Sequence, residues 1–193
     1  TVAGTLGRRT FQGRAAKPIW SPDGSRLLYQ NEGSAIWSVA ADGTDVPGPF
    51  LTAPVSPWPE TMSPSGEILV YSGGGGIRDL YTVSEGAEQI QQPLRVSAAD
   101  ARSSAISHDG NWIAYASNET GDYEVYVRPF PNVSDGKWQI SREGGGQPIW
   151  SKSSNEIFYW APSNKKYVVE YSVGQGNEDD RPTFFSVGAA KEL

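Results

Sequence analysis

The sequence contains one histidine and no cysteine, which restricts the covalent chemistry available to it. Acyl-transfer enzymes combine a nucleophile, a base within hydrogen-bonding distance and an oxyanion site. His108 stands in a predicted surface turn, at a position that proline or lysine occupies in equivalent turns. The Gly-x-Ser-x-Gly motif of serine hydrolases is absent from the sequence. We therefore predict no catalytic residue and a protein that is not an enzyme.

Two further clusters invite interpretation as ligand sites. Gly73–Gly76 is a run of four glycines, but a phosphate-binding loop leads into a helix, whereas a predicted strand at 80–83 follows this run. Glu178–Asp180 are consecutive carboxylates without the alternating ligands and central glycine of a calcium loop. The lack of cysteine also excludes thiolate metal sites. We predict no metal and no cofactor.

The elements that position these residues follow from an internal repeat. Four times a serine begins a turn and a tyrosine follows eight residues later, as shown by the pairs Ser21 and Tyr29, Ser63 and Tyr71, Ser107 and Tyr115, Ser151 and Tyr159. The serine spacings of 42, 44 and 44 residues suit one four-stranded propeller blade. Within each unit, short runs rich in Ile, Val, Tyr and Trp are bounded by Gly, Pro, Asn and Asp, which is typical of strands and turns.

The predicted fold is all-β, a β-propeller with about four four-stranded blades that form part of a larger ring. The repeat units span about 12–53, 54–98, 99–142 and 143–188, within one propeller domain or propeller fragment over 1–193. Each sheet is apolar on both faces, so neighbouring blades must stack, and we expect the strand tryptophans and tyrosines to pack between them. Residues 1–11 are predicted to hold the outer strand of a preceding blade, and such an unpaired edge favours self-association.

Recognition is predicted at the loops that lead from each outer strand into the next inner strand, since these loops meet at the mouth of the central channel. The residues just before each turn serine differ between units, as those of a binding surface would. Trp58 stands between two prolines, and amphipathic aromatics are enriched at recognition hot spots. The predicted ligand-binding residues are Lys17, Trp58, Glu60, Arg102 and Gln147.

The composition restricts the classes of binding partner that the protein can have. The net charge is −6 with acidic residues spread throughout, whereas nucleic-acid binding depends on clustered Lys and Arg. No apolar run approaches the roughly 20 residues that span a bilayer. We predict a protein or peptide partner, keep a small molecule as an alternative, and expect neither nucleic-acid binding nor membrane insertion.

Three segments, 18–29, 104–115 and 147–159, share an apolar pair, a Ser-Pro-Asp-Gly turn or a variant of it, and a strand that ends in Tyr. This pattern resembles the TolB-type, WD40-like propeller repeat of bacteria over nearly the whole chain. The segments 125–131, 136–141 and 144–151 are similar to propellers appended to bacterial serine/threonine kinases and regulators. The turns of the second and fourth units depart from the pattern at Ser65 and at 152–154. The resemblance implies a periplasmic or extracytoplasmic interaction module.

The sequence thus predicts a non-enzymatic propeller that binds a protein, peptide or small ligand through its channel-mouth loops. One alternative is the propeller gate or accessory domain of a serine peptidase or carbohydrate-active enzyme, whose catalytic residues would lie outside this chain. A second alternative is the extracytoplasmic sensor segment of a bacterial receptor kinase.

Overall fold

A computed structural model describes residues 10, 14–54, 56–84, 91–94, 96, 98–174 and 184–193. These residues form four antiparallel sheets, each built from four strands in chain order. Blade 1 contains β1 (Ala15–Trp20), β2 (Arg26–Asn31), β3 (Ala35–Ala40) and β4 (Gly48–Thr52). Blade 2 contains β5 (Trp58–Met62), β6 (Ile68–Gly73), β7 (Asp79–Ser84) and β8 (Gln91–Pro93). Blade 3 contains β9 (Ala101–Ile106), β10 (Trp112–Thr120), β11 (Asp122–Pro129) and β12 (Trp138–Gln139).

Blade 4 contains β13 (Gly146–Trp150), β14 (Glu156–Ala161), β15 (Lys165–Gly174) and β16 (Phe184–Val187), and a short β17 (Lys191–Glu192) continues the outer edge beside β15. The predicted all-β propeller architecture is confirmed. The apolar residues Leu94 and Val96 favour an outer strand of blade 2 at 94–97, but that strand, β8, lies at Gln91–Pro93. Leu94 and Val96 are instead buried between blades 2 and 3. The predicted strand within 1–11, apart from Thr10, and Glu178–Asp180 lie outside the described residues.

Three of the four turn serines, those of blades 1, 2 and 3, stabilise their turns by the same local hydrogen bond. The Ser21 hydroxyl oxygen accepts the backbone N–H of Arg26 at 2.9 Å, and Ser63 and Ser107 repeat this bond with the residue five positions on. Gly24 closes the turn at φ 71°, a conformation that glycine adopts without strain. Hydrogen bonds from the hydroxyl groups of Ser21 and Ser25 lower the pKa of Asp23 to about 2. The repeated motif is thus a self-contained turn that connects the inner strand to its neighbour.

Three hydrophobic clusters fill the three interfaces between consecutive blades. In the interface between blades 3 and 4, Trp112 lies 4.9 Å from Phe185, measured between ring centroids. The indole Nε1 of Trp150 donates to the carbonyl of Ala105 across the same interface at 2.9 Å. Most of the predicted aromatic packing is confirmed, but Trp20 is 58% exposed. Across the part of the chain that the structure describes, no cluster joins blade 4 to blade 1.

Candidate functional site

The candidate site lies on the upper face, defined as the face at which every inner strand begins. Its described residues are 53, 54, 56 and 57 before β5, then 94, 96 and 98–100 before β9, and 140–145 before β13, together with the hairpins that join the second and third strand of each blade. The five predicted ligand-binding residues were placed in such loops, and this placement is wrong. All five lie on the inner strands themselves, on β1, β5, β9 and β13.

A β-bulge explains why these residues belong to strands. In every blade the register between the inner strand and its neighbour shifts by one residue, at 16–19, 59–61, 102–105 and 146–149. Lys17, Ser103 and Gln147 occupy equivalent positions with φ between 50° and 54°, whereas blade 2 has Pro59, whose ring fixes a negative φ. A bulge lets pairing continue and redirects the side chains next to it.

Two of the predicted residues meet across blades 1 and 2. The Lys17 ammonium lies 2.6 Å from a Glu60 carboxylate oxygen, and the Glu60 side chain is only 3% exposed. The other Glu60 oxygen accepts the Ser72 hydroxyl at 2.5 Å. A nearly buried carboxylate with two donors is held rigidly. The Lys17 side chain is 40% exposed, so it presents a fixed cation at the inner edge of the upper face.

Asp100 connects blades 2 and 3 immediately before β9. Its carboxylate accepts the Tyr123 hydroxyl at 2.6 Å and the backbone N–H of Arg78 at 2.7 Å. Arg78 Nε lies 3.4 Å and Arg102 Nε 3.9 Å from the same carboxylate. Burial by itself raises the pKa of Asp100, but the hydrogen bonds from Tyr123 and Arg78 and the charge of Arg78 outweigh it, so this pKa lies below its ordinary value. Asp100 therefore stays ionised and positions both arginines.

Arg102 is held in a defined orientation by these contacts. Its guanidinium carbon lies 3.9 Å from the centre of the Tyr123 ring, within the range of a cation–π interaction. About a third of the Arg102 side chain is exposed. A planar guanidinium that is fixed on one side can bind a carboxylate or a backbone carbonyl from the other side with little loss of conformational entropy.

A groove runs across the upper face between blades 3 and 4. Its outer part is a cavity of about 770 Å³, bordered by the loop 140–145, by the end of β16 and by the β14–β15 hairpin. The stacked rings of Tyr159 and Tyr167, 5.6 Å apart, lie along it. Arg142 and Glu143 line the opposite wall with exposed side chains. The groove therefore combines aromatic surface with one charge of each sign.

The inner part of the groove is a second cavity of about 440 Å³, which shares Arg142, Glu143 and Pro162 with the first and extends to Tyr123. Tyr123 also contacts Arg102, so one continuous surface connects the outer edge of blade 4 to the inner edge of blade 3. The buried carboxylate of Glu124 fixes the wall, because it accepts the backbone N–H of Gly144 at 3.0 Å and also bonds the Ser141 hydroxyl.

The structure brings together only some of the predicted residues. Arg102 contacts Tyr123 at the inner end of the groove, and Lys17 pairs with Glu60 on the neighbouring blades. Trp58 is half-buried at the start of β5 and Gln147 is exposed on β13. Neither side chain has a hydrogen bond or ring contact within the described part of the chain.

Sequence reasoning missed Asp100, Tyr123, Arg142 and the groove. One signal was available, since Asp100 and Arg102 are opposite charges two residues apart, which places them on the same side of an extended segment. The pairing with Tyr123 depends on the β10–β11 hairpin, 23 residues further along. No sequence pattern indicated that partner.

His108 is exposed in the β9–β10 turn, as predicted. The described residues contain no group of three or more His, Cys, Asp or Glu side chains arranged to hold a metal ion. Among those same residues, no helix is long and apolar enough to cross a membrane.

Comparisons with known proteins identify the fold. No protein-family model matches the sequence, and no curated protein matches it. Among solved structures, a putative TolB from Agrobacterium tumefaciens superimposes with a TM-score of 0.69 at 18% identity, over 80% of this chain and 60% of that one. TolB from Acinetobacter baumannii gives a TM-score of 0.66 at 15% identity, over 81% of this chain and 40% of that one.

The β-propeller domain of Cps50 (Swd1) from Myceliophteria thermophila gives a TM-score of 0.64 at 10% identity, over 93% of this chain and 60% of that one. The chain thus spans about 40 to 60% of the length of these three structures. Identities of 10 to 18% inform about fold alone. The chain has the fold of a TolB-like, WD40-like β-propeller.

Proposed function

We propose that the protein is a non-enzymatic binding module whose upper face holds an extended segment of a protein or peptide partner. The observation that supports this proposal is the continuous groove between blades 3 and 4, which leads from the outer edge of blade 4 to Arg102 and Tyr123. A groove open along its length suits a chain-like ligand. A compact small molecule would bury its surface better in an enclosed pocket.

The groove offers distinct contacts along the bound segment. At the outer part, Tyr159 and Tyr167 provide aromatic surface, and aromatic rings contribute much of the energy at protein interfaces. Arg142 and Glu143 have no ion-pair partner among the described residues and can bind polar groups of the segment. At the inner end, Arg102 is oriented by Asp100 so that its guanidinium can donate hydrogen bonds to a carboxylate or carbonyl oxygen of the segment. The fixed walls reduce the entropic cost of binding.

The resemblance to TolB-type repeats supports an extracytoplasmic location in bacteria for this module. The absence of cysteine is compatible with that compartment.

Selection from a displayed peptide library, followed by titration of the selected peptides, tests the proposal. We expect Arg142→Ala and Arg102→Ala each to weaken binding by about tenfold, which corresponds to roughly 1.4 kcal/mol. Lys152→Ala is the matched control, because Lys152 is an exposed cation in the blade 4 turn at the opposite face. Peptides that bind all three variants as tightly as the wild type, or a library that yields no binder, contradict the proposal.

A further inference from the structure

The interface between blades 3 and 4 shows how an inner-strand tryptophan is covered in this fold. Trp150 directly precedes the turn serine of blade 4, is 5% exposed and donates its Nε1–H to the carbonyl of Ala105. Ala105 stands two positions before the turn serine of blade 3. The same two positions are therefore in contact when one blade covers the next.

At the two ends of the row of blades, these positions are exposed in the described structure. Trp20 directly precedes the turn serine of blade 1, as Trp150 does in blade 4, and it is 58% exposed. Ile149 stands two positions before the turn serine of blade 4, as Ala105 does in blade 3, and it is 49% exposed. One end thus carries the uncovered tryptophan, and the other carries the position that would receive it.

Apolar residues surround both Trp20 and Ile149 on the end faces of blades 1 and 4. Trp20 pairs with Leu27 across β1 and β2, and Leu27 borders a small apolar hollow of about 180 Å³. Ile149 pairs with Phe158 across β13 and β14, and alternation along β14 places Trp160 on the same face as Phe158. Tyr29 and Val39 also line the hollow beside Leu27 but are buried, so the exposed apolar surface is centred on Trp20 at one end and on Ile149 at the other, and exposed apolar surface of this kind marks an interaction site.

The internal interface between blades 1 and 2 supports the match in shape. At the positions equivalent to Ile149 and Phe158, blade 1 carries Ile19 and Leu28, and both pack in the cluster that also holds Met62 of blade 2. Large apolar side chains at these positions are therefore compatible with coverage by a following blade. At these positions, the exposed face of blade 4 therefore carries the same kinds of residue as the face of blade 1 that blade 2 covers.

We propose that two copies of this chain associate head to tail, with the Trp20 face of one copy packed on the Ile149 face of the other. The contact continues the stacking that joins the blades within one chain, and it buries Trp20 as Trp150 is buried. The two contributing surfaces are different, so the interface is heterologous. Such an interface extends to further copies unless the ring closes.

Sedimentation velocity over a wide concentration range tests this proposal. We expect the wild-type mass to exceed that of one chain and to rise with concentration. Trp20→Glu and Ile149→Glu place a charge in the contact, and each is expected to remain a single chain. Val46→Glu is the matched control, because Val46 is 86% exposed in the β3–β4 loop, away from both faces, and it is expected to associate like the wild type.

Mixing the two variants distinguishes a head-to-tail contact from a symmetric one. The Trp20→Glu chain retains an intact blade 4 face, and the Ile149→Glu chain retains an intact blade 1 face. An equimolar mixture is therefore expected to form one-to-one dimers and nothing larger. A wild type that stays a single chain at every concentration overturns the proposal, and so does a mixture without dimers when the wild type associates. Circular dichroism of each variant verifies that it is folded.

Discussion

Replacement of Asp100 by Asn should weaken the contact between blades 2 and 3 without a change in side-chain volume. In the wild type, one carboxylate oxygen accepts the backbone N–H of Arg78 at 2.7 Å and the other accepts the Tyr123 hydroxyl at 2.6 Å. An amide has only one acceptor oxygen, so its NH2 group would face either the Arg78 N–H, which then has no acceptor, or the Tyr123 hydroxyl, whose proton must then turn away from its present position. A buried donor left without its acceptor costs about 1–3 kcal/mol, and the loss of charge weakens the remaining hydrogen bond. We expect Asp100→Asn to lower the free energy of unfolding by about 2–3 kcal/mol.

Urea denaturation at neutral pH measures this loss, and the same measurement at lower pH tests its cause. The pKa of Asp100 is lowered in the folded protein, so its contribution is fully present above the unfolded-state pKa of about 4 and decreases as the pH falls through the folded-state value. The difference in free energy of unfolding between wild type and Asp100→Asn should therefore shrink below about pH 4.

Asp135→Asn is the matched control, because Asp135 is exposed and its change should stay within about 0.5 kcal/mol. A difference for Asp100→Asn no larger than that of the control would refute the assignment of Asp100 as the connection between the blades. A difference that persists unchanged in acid would refute the role of its charge.

Three further outcomes are expected. Trp112→Ala should lower the free energy of unfolding by about 3–5 kcal/mol in urea denaturation, because the Trp112 ring is buried against Phe185 and Trp138; a smaller loss than about 1 kcal/mol contradicts the packing. Gly144→Ala should cost about 1–2 kcal/mol and weaken peptide binding, because Gly144 has φ +90° and a Cβ there would lie 2.7 Å from Pro162; unchanged titrations contradict the described groove wall. Burial raises the pKa of Tyr115 to about 12, so the unfolded state loses this proton first and the free energy of unfolding should fall as the pH rises above about 10. This fall should be less steep in Tyr115→Phe. Equal slopes of the free energy of unfolding against pH in the two proteins contradict the burial of the Tyr115 hydroxyl.

The repeat allowed much of the fold to be predicted, because the interactions that define it are local. The Ser21 hydroxyl bonds the N–H of Arg26 within one turn, and the alternation of apolar residues marks each strand that follows. These features recur at a fixed spacing, so their positions in the sequence indicate the number and order of the strands. The outer strand of blade 2 escaped this reasoning, since Leu94 and Val96 look like strand residues but are buried against blade 3.

The sequence by itself determined the four blades, their order and their turns, but it placed the variable residues in loops, whereas they lie on the inner strands. Only the tertiary structure decided which side chains meet, such as Lys17 with Glu60, 43 residues apart, and Asp100 with Tyr123. It alone also revealed the groove between blades 3 and 4 and the uncovered positions of Trp20 and Ile149. The physical reason is the sequence separation of the residues that interact. Hydrogen bonds within a turn join residues that are neighbours in the sequence. Contacts between blades join residues far apart in the sequence, and they depend on how two sheets stack and on the bulges in the inner strands.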